Sequence, residues 1–163
     1  MNSGGPDGEI GASMRYLSQR FTAPNRVCMA VLTDVATEEL GHLEMVSTIV
    51  HQLTANLTVE EIENQGFADY YVDHAVGIWP QSAGGIPFNS CEFQSKGDPI
   101  TDMFESMAAE QKARSTYDNI LRVVRDIPEI ADPIRFLRAR EVVHFQRFGE
   151  ALQSLQDQLN SKN

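Results

Sequence analysis

The sequence predicts an all-α protein, a four-helix bundle with one long crossover connection. Three observations carry this. Four long stretches repeat apolar residues at alternating steps of three and four. Proline and capping residues delimit those stretches. No stretch alternates with a two-residue period strongly enough to compete as a strand. The chain has 163 residues, so residues 1–163 are expected to form a single domain with a sizeable core.

The first helix is expected over residues 9–22, with Ile10, Met14, Leu17 and Phe21 as its apolar stripe, until "TAPN" breaks it at Pro24. The second runs over 27–54. Thr58 and Glu61 offer a capping box for a shorter helix over 59–74. A Gly/Pro/Ser-rich loop, "GIWPQSAGGIPFNSCEFQSKG", fills 77–97 and is long enough to be a wrapping or contact loop. Asp98 can cap the third helix, 99–126, with Pro99 in its first position. Asp132 and Pro133 repeat that signal for the fourth, 133–158.

Composition excludes several classes. The formal net charge is −10, and no basic stripe exists to displace counterions from a phosphate backbone or an anionic bilayer, so neither nucleic acid nor membrane is an expected partner. No apolar run approaches spanning length, and "MNSGGPDGE" has no signal-peptide apolar core, so secretion by a signal peptide is not expected. Cys28 and Cys91 form no disulfide framework, suit a reducing compartment, and are expected to be buried or inert.

The second helix places Leu32, Val35, Glu39, His42, Val46, Ile49 and Leu53 on one seam. The fourth places Ile134, Leu137, Glu141, His144, Phe148, Ala151 and Leu155 on another at the same steps. Both interrupt the apolar series with E-x-x-H at the same two slots. The third carries Met103, Met107, Glu110, Arg114, Tyr117, Leu121 and Val124 on one stripe. The first carries Glu9, Ser13, Tyr16 and Arg20 in a column flanking its apolar stripe. Glu9 precedes Glu39 by 30 residues and Glu110 precedes Glu141 by 31; a tyrosine, Tyr16 or Tyr117, follows each solitary Glu by seven. The chain reads as two helix pairs carrying one constellation.

Residues three apart on a helix share a face with a rise of roughly 4.5 Å, so Glu and His in E-x-x-H can reach one ion or bridge to a second. A buried carboxylate is expensive unless paired, and a metal ion offsets that cost. Glu from two helices and Glu-x-x-His from two more is the donor set of di-iron and di-manganese carboxylate bundles. The ligand types suit manganese and iron alike. On spacing alone Glu141 reads as a ligand. His51, expected on a partly exposed helix face, and His74, near a helix end, have no Glu three residues before them and are not expected to bind metal. There is no H-E-x-x-H of a zinc protease and no glycine-rich phosphate loop after a strand.

With these residues in hand, the chain resembles the manganese catalases, nearest to their short spore-coat branch, over almost its whole length. The stretches that carry the resemblance are "GGPDGEIGASMRYLSQRF", "LTDVATEELGHLEMV", "SKGDPITDMFESMAAEQKAR" and "FLRAREVVHFQRFGEAL". It implies a ferritin-like bundle, two manganese ions, and disproportionation of hydrogen peroxide to water and dioxygen. It implies that Glu9 and His42 bind one ion, that Glu110 and His144 bind the other, and that Glu39 bridges them. It makes Glu141 a proton acceptor and donor beside the pair, against the reading from spacing. Tyr16 matches a tyrosine that hydrogen-bonds near the cluster. Larger members have an arginine directly before the third-helix Glu; Ala109 stands there, and Arg114 one turn later is the candidate for the surrounding shell. Family members also have a segment before the "GG-x-x-GE" stretch, whereas eight residues precede Glu9 here, so Glu9 is expected to be the least ordered ligand.

The resemblance further implies a homo-oligomer, often a hexamer, in the cytoplasm or the spore coat, with other spore-coat proteins as partners. Two alternatives remain: a ferritin-like di-iron oxidase or peroxidase with Glu141 as a ligand, and a structural coat protein whose metal site supports folding. Trp79, Phe88 and Phe93 are expected to pin the long loop to the bundle; exposed, they would favour the coat reading.

Overall fold

The structure, a computed structural model, describes residues 3–71, 77–82 and 85–161. Its helices are α1 (Glu9–Gln19), α2 (Arg26–Thr54), α3 (Val59–Asn64), α4 (Ala68–Tyr71), α5 (Pro99–Val124) and α6 (Pro128–Asn160). A 3-10 turn, Arg20–Thr22, extends α1, and another, Ser90–Phe93, lies in the long connection. Among the described residues there is no strand, only an isolated antiparallel bridge between Gln81 and Pro87. The long helices pack as α1 on α2 and α5 on α6, with α2 against α6 and α1 against α5. This is the expected four-helix bundle, with its crossover between α2 and α5.

Capping explains most boundaries. The Asn25 side chain accepts from Cys28 N at 2.9 Å to open α2, and Asp98 accepts from Thr101 N at 2.9 Å to open α5 behind Pro99. The Thr58–Glu61 capping box is formed. The short helix expected over 59–74 is broken at Gly66, whose φ of 77° closes α3 as the amide of Phe67 bonds to the carbonyl of Ile62. The end of that expected helix, with His74, lies outside the described residues.

α6 begins at Pro128 rather than Pro133, and Pro133 sits inside it. Ile127 accepts from Ile130 and Ala131 to start this earlier turn. Ala131 and Ile134 are buried, and Ile130 packs on the cluster of Val46, Tyr117, Ile134 and Leu137. That apolar contact outweighs the one backbone bond that Pro133 cannot donate.

Every member of the α6 seam is buried, Glu141 and His144 included. The α2 seam is buried at Leu32, Val35, Glu39, His42 and Val46 and emerges to solvent at Leu53. In α1 the expected apolar stripe is split, with Ile10 and Leu17 half-buried and Leu17 packed on the core. Glu9, Ser13 and Tyr16 turn inward, while Met14 and Phe21 of the apolar stripe are exposed. Ser13 fixes this rotation by donating to the Ala36 carbonyl of α2 at 2.8 Å. Two apolar clusters sandwich the polar layer. Tyr16, Leu32, Met103, Phe148 and Leu155 belong to the one, Val46, Tyr117, Ile134 and Leu137 to the other.

Cys28 is buried, but Cys91 is exposed on the 3-10 turn of the crossover. Phe88 and Phe93 are half-buried with ring centroids 5.8 Å apart, whereas Trp79 is about half exposed, at 52%. Buried Arg15 ties the loop to the N-terminal segment, donating to the carbonyls of Phe93 at 2.8 Å and Pro6 at 3.3 Å. Gln19 adds a bond to Ser95.

Candidate metal centre

Four helices bring Glu9, Glu39, His42, Glu110, Glu141 and His144 into one buried layer, each at most 2% exposed. Glu39 lies at its middle. One oxygen is 2.8 Å from Nδ1 of His42, and the other is 2.7 Å from Nδ1 of His144. Glu9 stands 3.7 Å from Nδ1 of His42, and Glu110 stands 3.5 Å from Nδ1 of His144. Each imidazole therefore turns Nδ1 toward one solitary Glu and one oxygen of the shared Glu39. Oε1 of Glu141 lies 3.4 Å from Nδ1 of His42. The imidazoles stack nearly parallel, with centroids 5.4 Å apart and planes at 18°.

The tyrosines cross over. Tyr16 of α1 donates to Glu110 of α5, and Tyr117 of α5 donates to Glu9 of α1. Each half of the repeat thus supplies the phenol that orients the other half's solitary carboxylate. Glu9 is not loosely held. Ser3, Gly4, Gly5 and Gly8 ahead of it are buried, and Ile10 N bonds to the Ser3 carbonyl at 3.3 Å. Arg114 turns away from the centre. It bonds to Gln111 at 2.8 Å and to Asp118 at 2.6 Å, and Asp118 also accepts from Arg138 of α6 at 2.6 Å. Ala109 is buried beside Glu110 and supplies no donor. His51 is exposed on α2, away from the layer.

Sequence reasoning missed Glu38. It lies off the buried seam, yet its oxygens stand 3.6 Å from Nε2 of His42 and 3.2 Å from Nε2 of His144. Arg140 grips both oxygens, at 2.5 and 3.1 Å. The available signal was the doubling "EE" before one x-x-H and "RE" before the other.

The electrostatics are those of a centre with too many carboxylates. Burial pushes the Glu141 carboxyl up to about 10 and the Glu9 carboxyl up to about 8. Burial likewise raises Glu110. Burial opposes charge on the imidazoles, but the surrounding carboxylates outweigh it. Glu141, Glu39 and Glu9 push His42 up to about 12, and Glu110 with Glu39 push His144 up to about 10. Glu39 is also penalised by burial, yet His144 and His42 hold it down at about 2.

The donor atoms themselves test whether a cation fits. Both oxygens of Glu39, one each of Glu110 and Glu141, and all four ring nitrogens of His42 and His144 are buried without an aligned hydrogen bond. One donor atom from each of Glu39, His42, Glu141 and His144 fits within a 4.8 Å span. Buried lone pairs that converge without hydrogen-bonding one another are what metal ions satisfy. The set is oxygen-rich with two imidazoles, suited to manganese or iron rather than to a thiolate-preferring metal.

The family model described as manganese containing catalase matches residues 2–162. Protein CotJC of Bacillus subtilis is 45% identical over 159 residues, 98% of this chain and 83% of that protein. A probable manganese catalase of Clostridium acetobutylicum is 29% identical over 98% of this chain and 71% of its own length. The crystal structure of KatB, a manganese catalase from Anabaena, superposes with a TM-score of 0.85 at 29% identity, over 95% of this chain and 69% of that one. The ferritin-like bundle is that of the manganese-containing catalases, and the chain belongs to that family.

Proposed function

We propose that the protein is a di-manganese catalase that disproportionates hydrogen peroxide to water and dioxygen. The observation that carries this is Glu39, whose two oxygens serve two imidazoles, each with its own solitary carboxylate. In this reading Glu9 and His42 hold one ion, Glu110 and His144 hold the other, and Glu39 bridges them. Two bound manganese ions would supply the two-electron redox capacity that disproportionation of peroxide needs. Glu141 lies against the His42 half with a carboxyl raised to about 10, so it can hold a proton and return it to a peroxide oxygen. Tyr16 and Tyr117 fix Glu110 and Glu9, and the surrounding burial excludes bulk water.

Metal-depleted protein loaded anaerobically with Mn(II) should release dioxygen from peroxide well above an equal amount of free Mn(II). No release above free Mn(II) from protein carrying two ions removes the catalase reading.

One observation favours a second reading. One donor atom of Glu141 falls within the same 4.8 Å span as one each of Glu39, His42 and His144, as a ferritin-like di-iron oxidase or peroxidase with Glu141 as a ligand requires. Metal analysis of protein from its native cells, with both metals supplied, separates the two. We also read residues 1–163 as one domain and as a protomer of a homo-oligomer, a hexamer by family resemblance. The same resemblance supports a place in the spore coat among other coat proteins, with the cytoplasm as the alternative. Sedimentation of the native protein and fractionation of spores test these assignments.

A further inference from the structure

We infer that Glu38 is a positioning residue shared by both imidazoles of the centre, one carboxylate oxygen standing at the outer edge of each ring and Arg140 fixing the carboxylate in turn. The inference rests on the metal-centre reading above.

The two rings are held from both edges by consecutive residues of α2. Glu39 meets the inner nitrogens, at 2.8 and 2.7 Å from Nδ1 of His42 and His144. Glu38 meets the outer ones, at 3.6 and 3.2 Å from Nε2 of the same rings. Consecutive helical side chains diverge by roughly 100°, so Glu38 cannot join the buried seam. Its side chain is 28% exposed and reaches around the edge of the layer. The near-parallel rings, 5.4 Å apart, let one carboxylate span both outer nitrogens. These outer contacts are ion-pair distances rather than aligned hydrogen bonds.

The repeat explains the partner. Glu38 precedes Glu39 as Arg140 precedes Glu141, so the two occupy equivalent slots in the two halves. In the buried layer the halves carry like residues, with Glu9 matching Glu110, Tyr16 matching Tyr117 and His42 matching His144. At this slot they carry opposite charges, and the guanidinium closes on both carboxylate oxygens at 2.5 and 3.1 Å. Two glutamates there would repel each other, and two arginines would face the imidazole N–H groups with donors only. The mixed pair leaves a single fixed acceptor for both rings. A carboxylate at the outer nitrogen keeps the N–H proton there, leaves the inner lone pair free for metal, and fixes ring orientation.

Full-length metal-depleted protein is titrated with Mn(II) and, separately, with Co(II), followed by calorimetry and by electron paramagnetic resonance for manganese. The wild type takes up two equivalents. Glu38→Ala weakens both binding steps by about 10–100-fold with unchanged helix content. Glu38→Gln keeps one acceptor oxygen, so one step stays tight, the other weakens, and an uncoupled single-ion Mn(II) signal persists at one equivalent. Asp34→Asn is the control. It breaks the Asp34–Arg147 pair, which also joins α2 to α6 but touches neither imidazole, and leaves both affinities unchanged. Wild-type affinities in Glu38→Ala overturn the inference. So does equal weakening by Asp34→Asn, which would make Glu38 a brace between helices. If the wild type takes up neither ion, the metal-centre reading falls and this inference with it.

Discussion

Tyr117 donates its hydroxyl to Glu9, from α5 to the adjacent α1. Tyr16 returns the contact by donating to Glu110. The pair ties the two ends of the repeat together at the polar layer, where apolar packing is interrupted. Tyr117→Phe keeps the ring in its cluster and withdraws this donor from a buried carboxyl oxygen. Chemical denaturation of the metal-depleted protein should register a loss of about 1–3 kcal/mol. A change below a few tenths of a kcal/mol would mean the contact carries no stability.

The segment before Glu9 depends on a close backbone approach. A Cβ on Gly4 would lie 2.1 Å from the amide nitrogen of Gln81 and 2.2 Å from the carbonyl carbon of Pro80. Backbone cannot yield as a side-chain tip can, so Gly4→Ala must push the N-terminal segment off the crossover loop. A loss of about 1–3 kcal/mol is expected. Hydrogen exchange at Ile10, whose amide bonds to Ser3, should accelerate. Unchanged exchange there contradicts the account of how Glu9 is held.

Stability of the metal-depleted protein should fall as pH rises. Glu9 and Glu141 have folded-state values raised to about 8 and about 10 from 4.5. Their contribution is complete below pH 4.5 and is lost as pH climbs through those values. His42 and His144, raised to about 12 and about 10 from 6.5, add to the loss above pH 6.5. Glu39 and Glu38, lowered to about 2 from 4.5, act oppositely and cost stability only as pH falls below 4.5. Melting temperatures of chelated protein should therefore peak near pH 4.5–5 and decline toward pH 9. Metal uptake reverses the demand, because His42, His144 and Glu9 must shed protons to bind. Calorimetry at pH 7 in buffers of different ionisation enthalpy should record roughly three protons released on full loading.

Glu141→Gln keeps the shape of the side chain and removes the group that exchanges protons. Metal content should stay at the wild-type level while peroxide turnover falls about 100- to 10,000-fold. Glu39→Gln should instead lose metal. Loss of metal from Glu141→Gln would favour the di-iron type of site, with Glu141 as a ligand.

Helix periodicity made much of this legible. The slots of Glu39, His42, Glu141 and His144 could be read as interruptions of two apolar seams, and the 30- and 31-residue offsets tied Glu9 and Glu110 to them. Periodicity records which residues share a face, but not which face turns inward. In α1 the polar column won the interior from Met14 and Phe21 because Glu9, Ser13 and Tyr16 find partners there on other helices. The start of α6 was ambiguous for a related reason. Asp132 with Pro133 gives the local start signal, whereas Ile127 before Pro128 offers no side-chain cap, and only the burial of Ala131 and Ile134 carries the helix back to Pro128. Glu38 was hidden because its partners are the outer edges of rings that spacing had already assigned to the inner layer.

The central claim is that one carboxylate, Glu39, joins two metal ions, each with its own imidazole and solitary glutamate. Crystals of the protein soaked in Mn(II) and measured at the manganese absorption edge test it most directly. The account expects two anomalous peaks, one contacting Glu9 and Nδ1 of His42, the other contacting Glu110 and Nδ1 of His144, with an oxygen of Glu39 on each. A single peak, or two peaks that do not share Glu39, would contradict it.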